Sequence, residues 1–151
     1  MLLLENGADV AAKTNTNGAT PLHIAICRDN EALAELLFEN GADYSAKTKD
    51  GDTPLHLACN LGLPLVSLLL EKGADASAKA NDGDTPLHSG TCSCERHQAV
   101  MRLLLHAGAD VSARANCYKT AENHMIQGAT PLHLAFPSTL NPKPTKLCPT
   151  P

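Results

Sequence analysis

The hydrophobic positions of this chain fall in short helical stripes separated by polar, glycine-bearing stretches. After Thr20-Pro21, the residues Leu22, Ala25 and Ile26 recur at i, i+3 and i+4, the period of one helical face. Thr20 suits an N-cap, and Pro21 at the first helical position forgoes no hydrogen bond. A second stripe, Leu33, Leu36 and Leu37, predicts a second helix with that face buried. It ends at Gly41, a residue suited to a left-handed cap. Residues 42–52 then read as polar turn chemistry leading to the next Thr-Pro. One unit is therefore helix, turn, helix and a protruding hairpin-like finger.

The unit repeats. Thr-Pro-Leu-His stands at 20–23, 53–56, 85–88 and 130–133, and Gly-Ala-Asp at 7–9, 41–43, 73–75 and 108–110. The two motifs interleave at spacings of 32–35, with 45 between the last two Thr-Pro-Leu-His copies, which marks a stacked-repeat architecture. No unit can bury its apolar face alone, so neighbours must stack. The predicted fold class is an all-α repeat solenoid of helix-turn-helix units with β-hairpin-like fingers.

At these residues the chain resembles the ankyrin repeat family. Thr20-Pro21-Leu22-His23-Ile24-Ala25, Thr53-Pro54-Leu55-His56-Leu57-Ala58 and Thr130-Pro131-Leu132-His133-Leu134-Ala135 match its T-P-L-H-x-A motif, and the G-A-D motif follows. The third unit departs at Ser89-Gly90. The resemblance covers residues 1–136. It divides them into a partial unit 1–19, units of about 20–52, 53–84 and 85–116, an insertion at 117–127 and a partial unit 128–136. Residues 137–151, with five Pro, read as a disordered tail.

The units are uneven. The second is a residue short near Pro64, which suits the first turn of its second helix. The third is two residues long between its helices, and Gly90 with its hydroxyl and thiol neighbours predicts a frayed first helix. The insertion is either an enlarged finger or a decayed unit. The chain opens in mid-unit, with Leu2, Leu3 and Leu4 on a helix that lacks its partner. That uncapped N-terminal end is expected to leave the chain marginally stable or self-associating.

Composition narrows the function. Of 151 residues only 3% are aromatic and none is Trp, so Ala and Leu must build a closely packed helical core. A formal net charge of -4 speaks against a nucleic-acid binder. No apolar run approaches the roughly 20 residues of a membrane span. The first residues have no basic n-region, so the six Cys read as reduced thiols of an intracellular protein, cytoplasmic or nuclear.

Candidate chemistry is sparse. His23, His56, His88 and His133 share one slot, which points to a repeated structural job rather than catalysis: tying the helix start to the finger. Cys92, Cys94 and His97 form a C-x-C-x-x-H loop, an incomplete zinc set. Cys27 and Cys59 lie on or beside apolar helix faces, where free Cys behaves as a small hydrophobe. Phosphate-loop and dinucleotide signatures are absent. No cofactor, no metal and no catalysis are expected. The Asn that the family can carry two residues after its Gly-Ala-Asp is replaced by Ala11, Ser45, Ser77 and Ser112, so hydroxylation there is not expected.

The resemblance implies a protein–protein interaction module or scaffold that binds a partner protein through finger tips and the concave face. By position, the first unit offers Asn17, Ala19, Cys27 and Arg28. The second offers Lys47, Lys49, Asp50, Asp52, Asn60 and Leu61. The third offers Lys79, Asn81, Asp82, Asp84 and Cys92, and Arg114 belongs to the next finger. Lys47, Lys79 and Arg114 are expected to form a basic row, with Asp52 and Asp84 an acidic row beside it. Two other readings stand beside this one. The chain is a piece of a larger protein, such as a ubiquitin-ligase adaptor, channel or kinase, or a metal or redox sensor on the 92–97 loop.

Overall fold

The computed structural model describes residues 2–90, 95–116, 118–119 and 125–135. Helix α1 (Leu2–Glu5) is followed by three helix pairs: α2 (Pro21–Cys27) with α3 (Glu31–Glu39), α4 (Pro54–Ala58) with α5 (Leu63–Glu71), and α6 (Pro86–Ser89) with α7 (Glu95–His106). Then come β1 (Tyr118–Lys119), β2 (Met125–Ile126) and α8 (Pro131–Ala135). Each first helix packs on its own second helix and on the first helix of the next unit: α2 on α3 and α4, α4 on α5 and α6, α6 on α7 and α8. The stack is thus a row of first helices backed by second helices, the fold that the repeat pattern predicts.

The core is continuous. Leu22, Leu55 and Leu87 from the first helices meet Leu37, Leu69 and Leu104 from the second helices in one buried cluster. Ala25, Ala34 and Ala58, all fully buried, let the helix backbones approach. Gly41 adopts φ 81° past the end of α3, a conformation that costs a glycine nothing. Pro64 falls in the first turn of α5. Helix α6 has only four residues, in line with the weakness of Ser89-Gly90.

Two expectations are corrected. In α3 the buried stripe is Ala34 and Leu37, while Leu33 is exposed. The helix sits so that its 31–33 turn faces water, and Asn30 caps it by accepting from the Leu33 N–H. Cys59 is a buried thiol outside any disulfide, but Cys27 is disulfide-bonded, so the thiols are not all reduced.

The insertion shows an antiparallel pair among its described residues, with Tyr118 opposite Ile126 and Lys119 opposite Met125. Ala115 and Ala129 pair at its base, where Ala115 N–H donates to the Ala129 carbonyl at 2.9 Å.

Candidate functional site

The fingers are built alike. In each, the Asp of Gly-Ala-Asp accepts the backbone N–H two residues on: Asp9 from Ala11, Asp43 from Ser45, Asp75 from Ser77 and Asp110 from Ser112, at 2.7–2.8 Å. Ser112 donates through its hydroxyl as well, and these bonds hold the Asp110 carboxyl below its usual value. The hairpins close by Thr14 N–H to Ala19 O, Thr48 N–H to Asp52 O and Ala80 N–H to Asp84 O, at 2.9–3.0 Å.

Neighbouring fingers then join. Lys49 N–H donates to Asn17 O, and Asn81 N–H to Asp50 O. Asn116 N–H donates to Asp82 O at 2.6 Å. The approach leaves no room for a side chain at Gly51, whose Cβ would stand 2.6 Å from the Asn81 nitrogen. Side chains reinforce the join. Lys13 Nζ donates to Lys47 O at 3.1 Å and Lys47 Nζ to Lys79 O at 2.8 Å. Lys49 Nζ reaches back to Asn15 O and Thr16 O, and Asn81 Nδ2 donates to Lys49 O.

The repeated histidines fasten fingers to helices. Thr20, Thr53 and Thr85 N–H groups donate to Nδ1 of His23, His56 and His88 at 3.1–3.2 Å. An amide can only donate, so Nδ1 accepts and the ring proton sits on Nε2. Nε2 therefore donates to the carbonyl just before the next unit's Thr: Asp52 for His23, Asp84 for His56 and Ala129 for His88, at 3.0–3.3 Å. Burial pushes the His23 and His88 pKa values down, against the opposing pull of those carbonyls. His133 keeps the Thr130 bonds but is exposed.

The residues singled out from sequence separate into two groups. Arg28, Lys47, Lys49, Asp50, Asn60, Lys79, Asn81 and Arg114 are exposed, and Asn17, Leu61 and Asp82 are half-buried. Leu61 packs against the core. Asp52 and Asp84 are each only 6% exposed and Ala19 only 1%, so they present little to a partner. The acidic surface row is corrected accordingly. Both acids lie where a finger meets a buried first helix, and their carbonyls are spent on the histidines. Cys27 is half-buried and disulfide-bonded. Cys92 lies outside the described residues, as does Cys94. Among the described residues no group of three His, Cys, Asp or Glu could hold a metal.

Lys47, Lys79 and Arg114 are exposed at one repeated position, and Lys13 shares it. Lys13, Lys47, Lys79 and Arg114 each follow the finger glycine (Gly7, Gly41, Gly73, Gly108) by six residues, and all four are exposed. That fixed offset was the signal that could have found Lys13. Lys47 and Lys79 also border a cleft of about 240 Å³ between two fingers, with Tyr44, Ser45, Asp75 and Ser77.

Residues 33–115 match a family model for ankyrin repeats in three copies, and residues 3–58 match one for ankyrin repeats in many copies. The first match covers more than half of the chain. The chain belongs to the ankyrin repeat family. Ankyrin repeats are generally protein–protein interaction modules and are typically non-catalytic. No curated protein matches this ankyrin chain. No helix among its described residues is long and apolar enough to cross a membrane.

Proposed function

We propose that this ankyrin stack is a non-catalytic binding module that holds a partner protein along its fingers, with the row Lys13, Lys47, Lys79 and Arg114 meeting acidic groups on that partner. The observation that carries the reading is the row itself: one exposed cation per unit at one offset, on fingers locked side by side. Lys13 and Lys47 are already tethered to the following finger, so docking orders few side chains. The charges would speed encounter and select the partner more than they would tighten it. Asp50, Asn60 and Asn81, exposed nearby, would supply polar contacts. The module needs no cofactor.

The test compares three immobilised chains in affinity capture with mass spectrometry. One is unchanged. One carries Lys47→Glu, Lys79→Glu and Arg114→Glu. The third carries Glu35→Lys, Glu39→Lys and Glu71→Lys, exposed positions on the second helices. A partner lost by the finger variant and kept by the second-helix variant supports the reading. A partner kept by the finger variant overturns it.

A further inference from the structure

The cleft between fingers 41–52 and 73–84 has one lining residue that the repeat does not supply elsewhere. The slot after Gly-Ala-Asp holds Val10, Tyr44, Ala76 and Val111, so a hydroxyl stands there in one finger alone. The Tyr44 ring packs against the core. Its hydroxyl reaches the head of the next finger, where a Cβ on Gly73 would stand 3.5 Å from it.

Most polar groups around this cleft are already engaged. Ser45 Oγ donates to Asp43, and Thr53 Oγ1 bonds His56. Ser77 Oγ accepts the Asp110 N–H, and Lys47 Nζ donates to Lys79 O. Asp75 accepts the Ser77 N–H at 2.8 Å. Two donors on the cleft wall have no hydrogen bond among the described residues: Tyr44 Oη and Lys79 Nζ. Lys79 differs in this from the rest of its row. Lys13 and Lys47 donate to the following finger, and Arg114 donates to Gly128 O.

We propose that the cleft receives one Asp or Glu side chain of the protein partner, whose carboxylate accepts from Tyr44 Oη and Lys79 Nζ. The inference rests on the reading that the row meets an acidic partner, and it names the point where one acid is gripped. Charge selects the occupant. Lys47 and Lys79 set two cations against the single acid Asp75, so a carboxylate is favoured over an amide and a cation is repelled. Size agrees. At about 240 Å³ the cleft is smaller than the roughly 300–1,000 Å³ of small-molecule pockets, and it suits a side chain. Both bonds are charge-assisted, and the hydroxyl, held by a ring packed on the core, gives the carboxylate a fixed direction that a lysine alone does not. Asp75, already bonded to a backbone N–H, forms the opposite wall.

The test is a titration of the full chain followed by amide NMR. The probes are N-acetyl-glutamate methylamide, with its side-chain carboxylate free, and the matching glutamine and lysine compounds. Each is added to wild type, Tyr44→Phe, Lys79→Met and Lys72→Met. Tyr44→Phe keeps the ring, and Lys72 is an exposed lysine outside the cleft, so Lys72→Met removes the same charge as Lys79→Met. The glutamate probe is expected to cause saturable shifts at residues 44–47 and 75–79 of the wild type. Tyr44→Phe and Lys79→Met should each weaken it about tenfold, the contribution of one hydrogen bond to a charged group, and Lys72→Met should not. The inference is overturned if the glutamate probe causes no saturable shift there, or if the glutamine or lysine probe binds as well. It is also overturned if Tyr44→Phe binds as wild type does, or if Lys72→Met weakens binding as much as Lys79→Met. Affinity capture separates this result from the row. A cleft that ignores the probe, beside a partner lost by the Lys47→Glu, Lys79→Glu and Arg114→Glu chain, overturns the cleft and leaves the row standing. A cleft that takes the glutamate probe, beside a partner kept by that chain, supports a carboxylate site and overturns the row.

Discussion

Replacing His23 by Ala should cost far more than replacing His133 by Ala, although both stand in the same Thr-Pro-Leu-His motif. His23 is fully buried. Its Nδ1 takes the Thr20 N–H at 3.2 Å, and its Nε2–H reaches the Asp52 carbonyl at 3.3 Å. Asp52 O keeps the Thr48 N–H when the ring is removed, so that side loses only a net hydrogen bond, about 0.5–1.5 kcal/mol. The Thr20 N–H loses its imidazole acceptor in a buried setting, at about 1–3 kcal/mol. The sum is about 1.5–4.5 kcal/mol before any void left by the ring is counted. Against a domain stability of about 5–15 kcal/mol that is a large fraction. At His133 water reaches the same groups, and the change should stay within about 0.5 kcal/mol. Urea unfolding followed by far-UV circular dichroism measures both as midpoint shifts at constant slope. Equal losses for the two variants, or a His23→Ala chain as stable as wild type, would refute the assignment of the motif's histidine to a buried inter-unit bond.

Three further outcomes follow from the same geometry. Acid should destabilise the stack. The unfolded histidines protonate as pH falls through 6.5, whereas His23 and His88, with lowered pKa values when folded, resist, so stability is full above 6.5 and falls below it. A melting temperature that is flat or rises on acidification across that range would contradict this. Gly51→Ala should lower stability more than Gly41→Ala. Both residues have positive φ, but an added Cβ at Gly51 also meets Asn81, while nothing stands within 4 Å of Gly41; thermal melts that rank them the other way would remove the tight finger contact. In native hydrogen exchange, the α4 and α5 amides should be the slowest, since complete units flank them on both sides, and α6, with four residues, should exchange faster. Equal protection in α4 and α6 would count against that ranking.

The repeat was legible because each motif residue does one fixed local job. Thr and Pro start the helix, Leu fills the seam, His ties the next finger, and Asp folds the turn. What failed to show was anything decided by a neighbour. Leu33 fits a helical stripe as well as Leu37 does, and only the docking of α3 chooses between them. Asp52 and Asp84 look like surface charges in a polar loop, yet the loop folds back where finger meets helix and buries both. The disulfide at Cys27 had no spacing to announce it. Lys13 was missed for a different reason. Its offset from Gly7 was readable, but no Thr-Pro-Leu-His motif stands before it to mark its unit.

The histidine bond to the next finger carries a consequence for how this chain tolerates change. His23 reaches a carbonyl 29 residues ahead and His56 one 28 ahead, but His88 reaches Ala129, 41 residues on, at a shorter distance. The stack therefore keeps its pitch by meeting a particular carbonyl, not by counting residues. Chain added between Ala115 and Ala129 is looped out of the register, as a bight in a rope leaves the knots on either side in place. The finger between Ala115 and Ala129 can thus grow without breaking the bond that sets the pitch. Variation in the exposed finger can accumulate there by insertion as well as by substitution, while the buried first helices behind it stay in register.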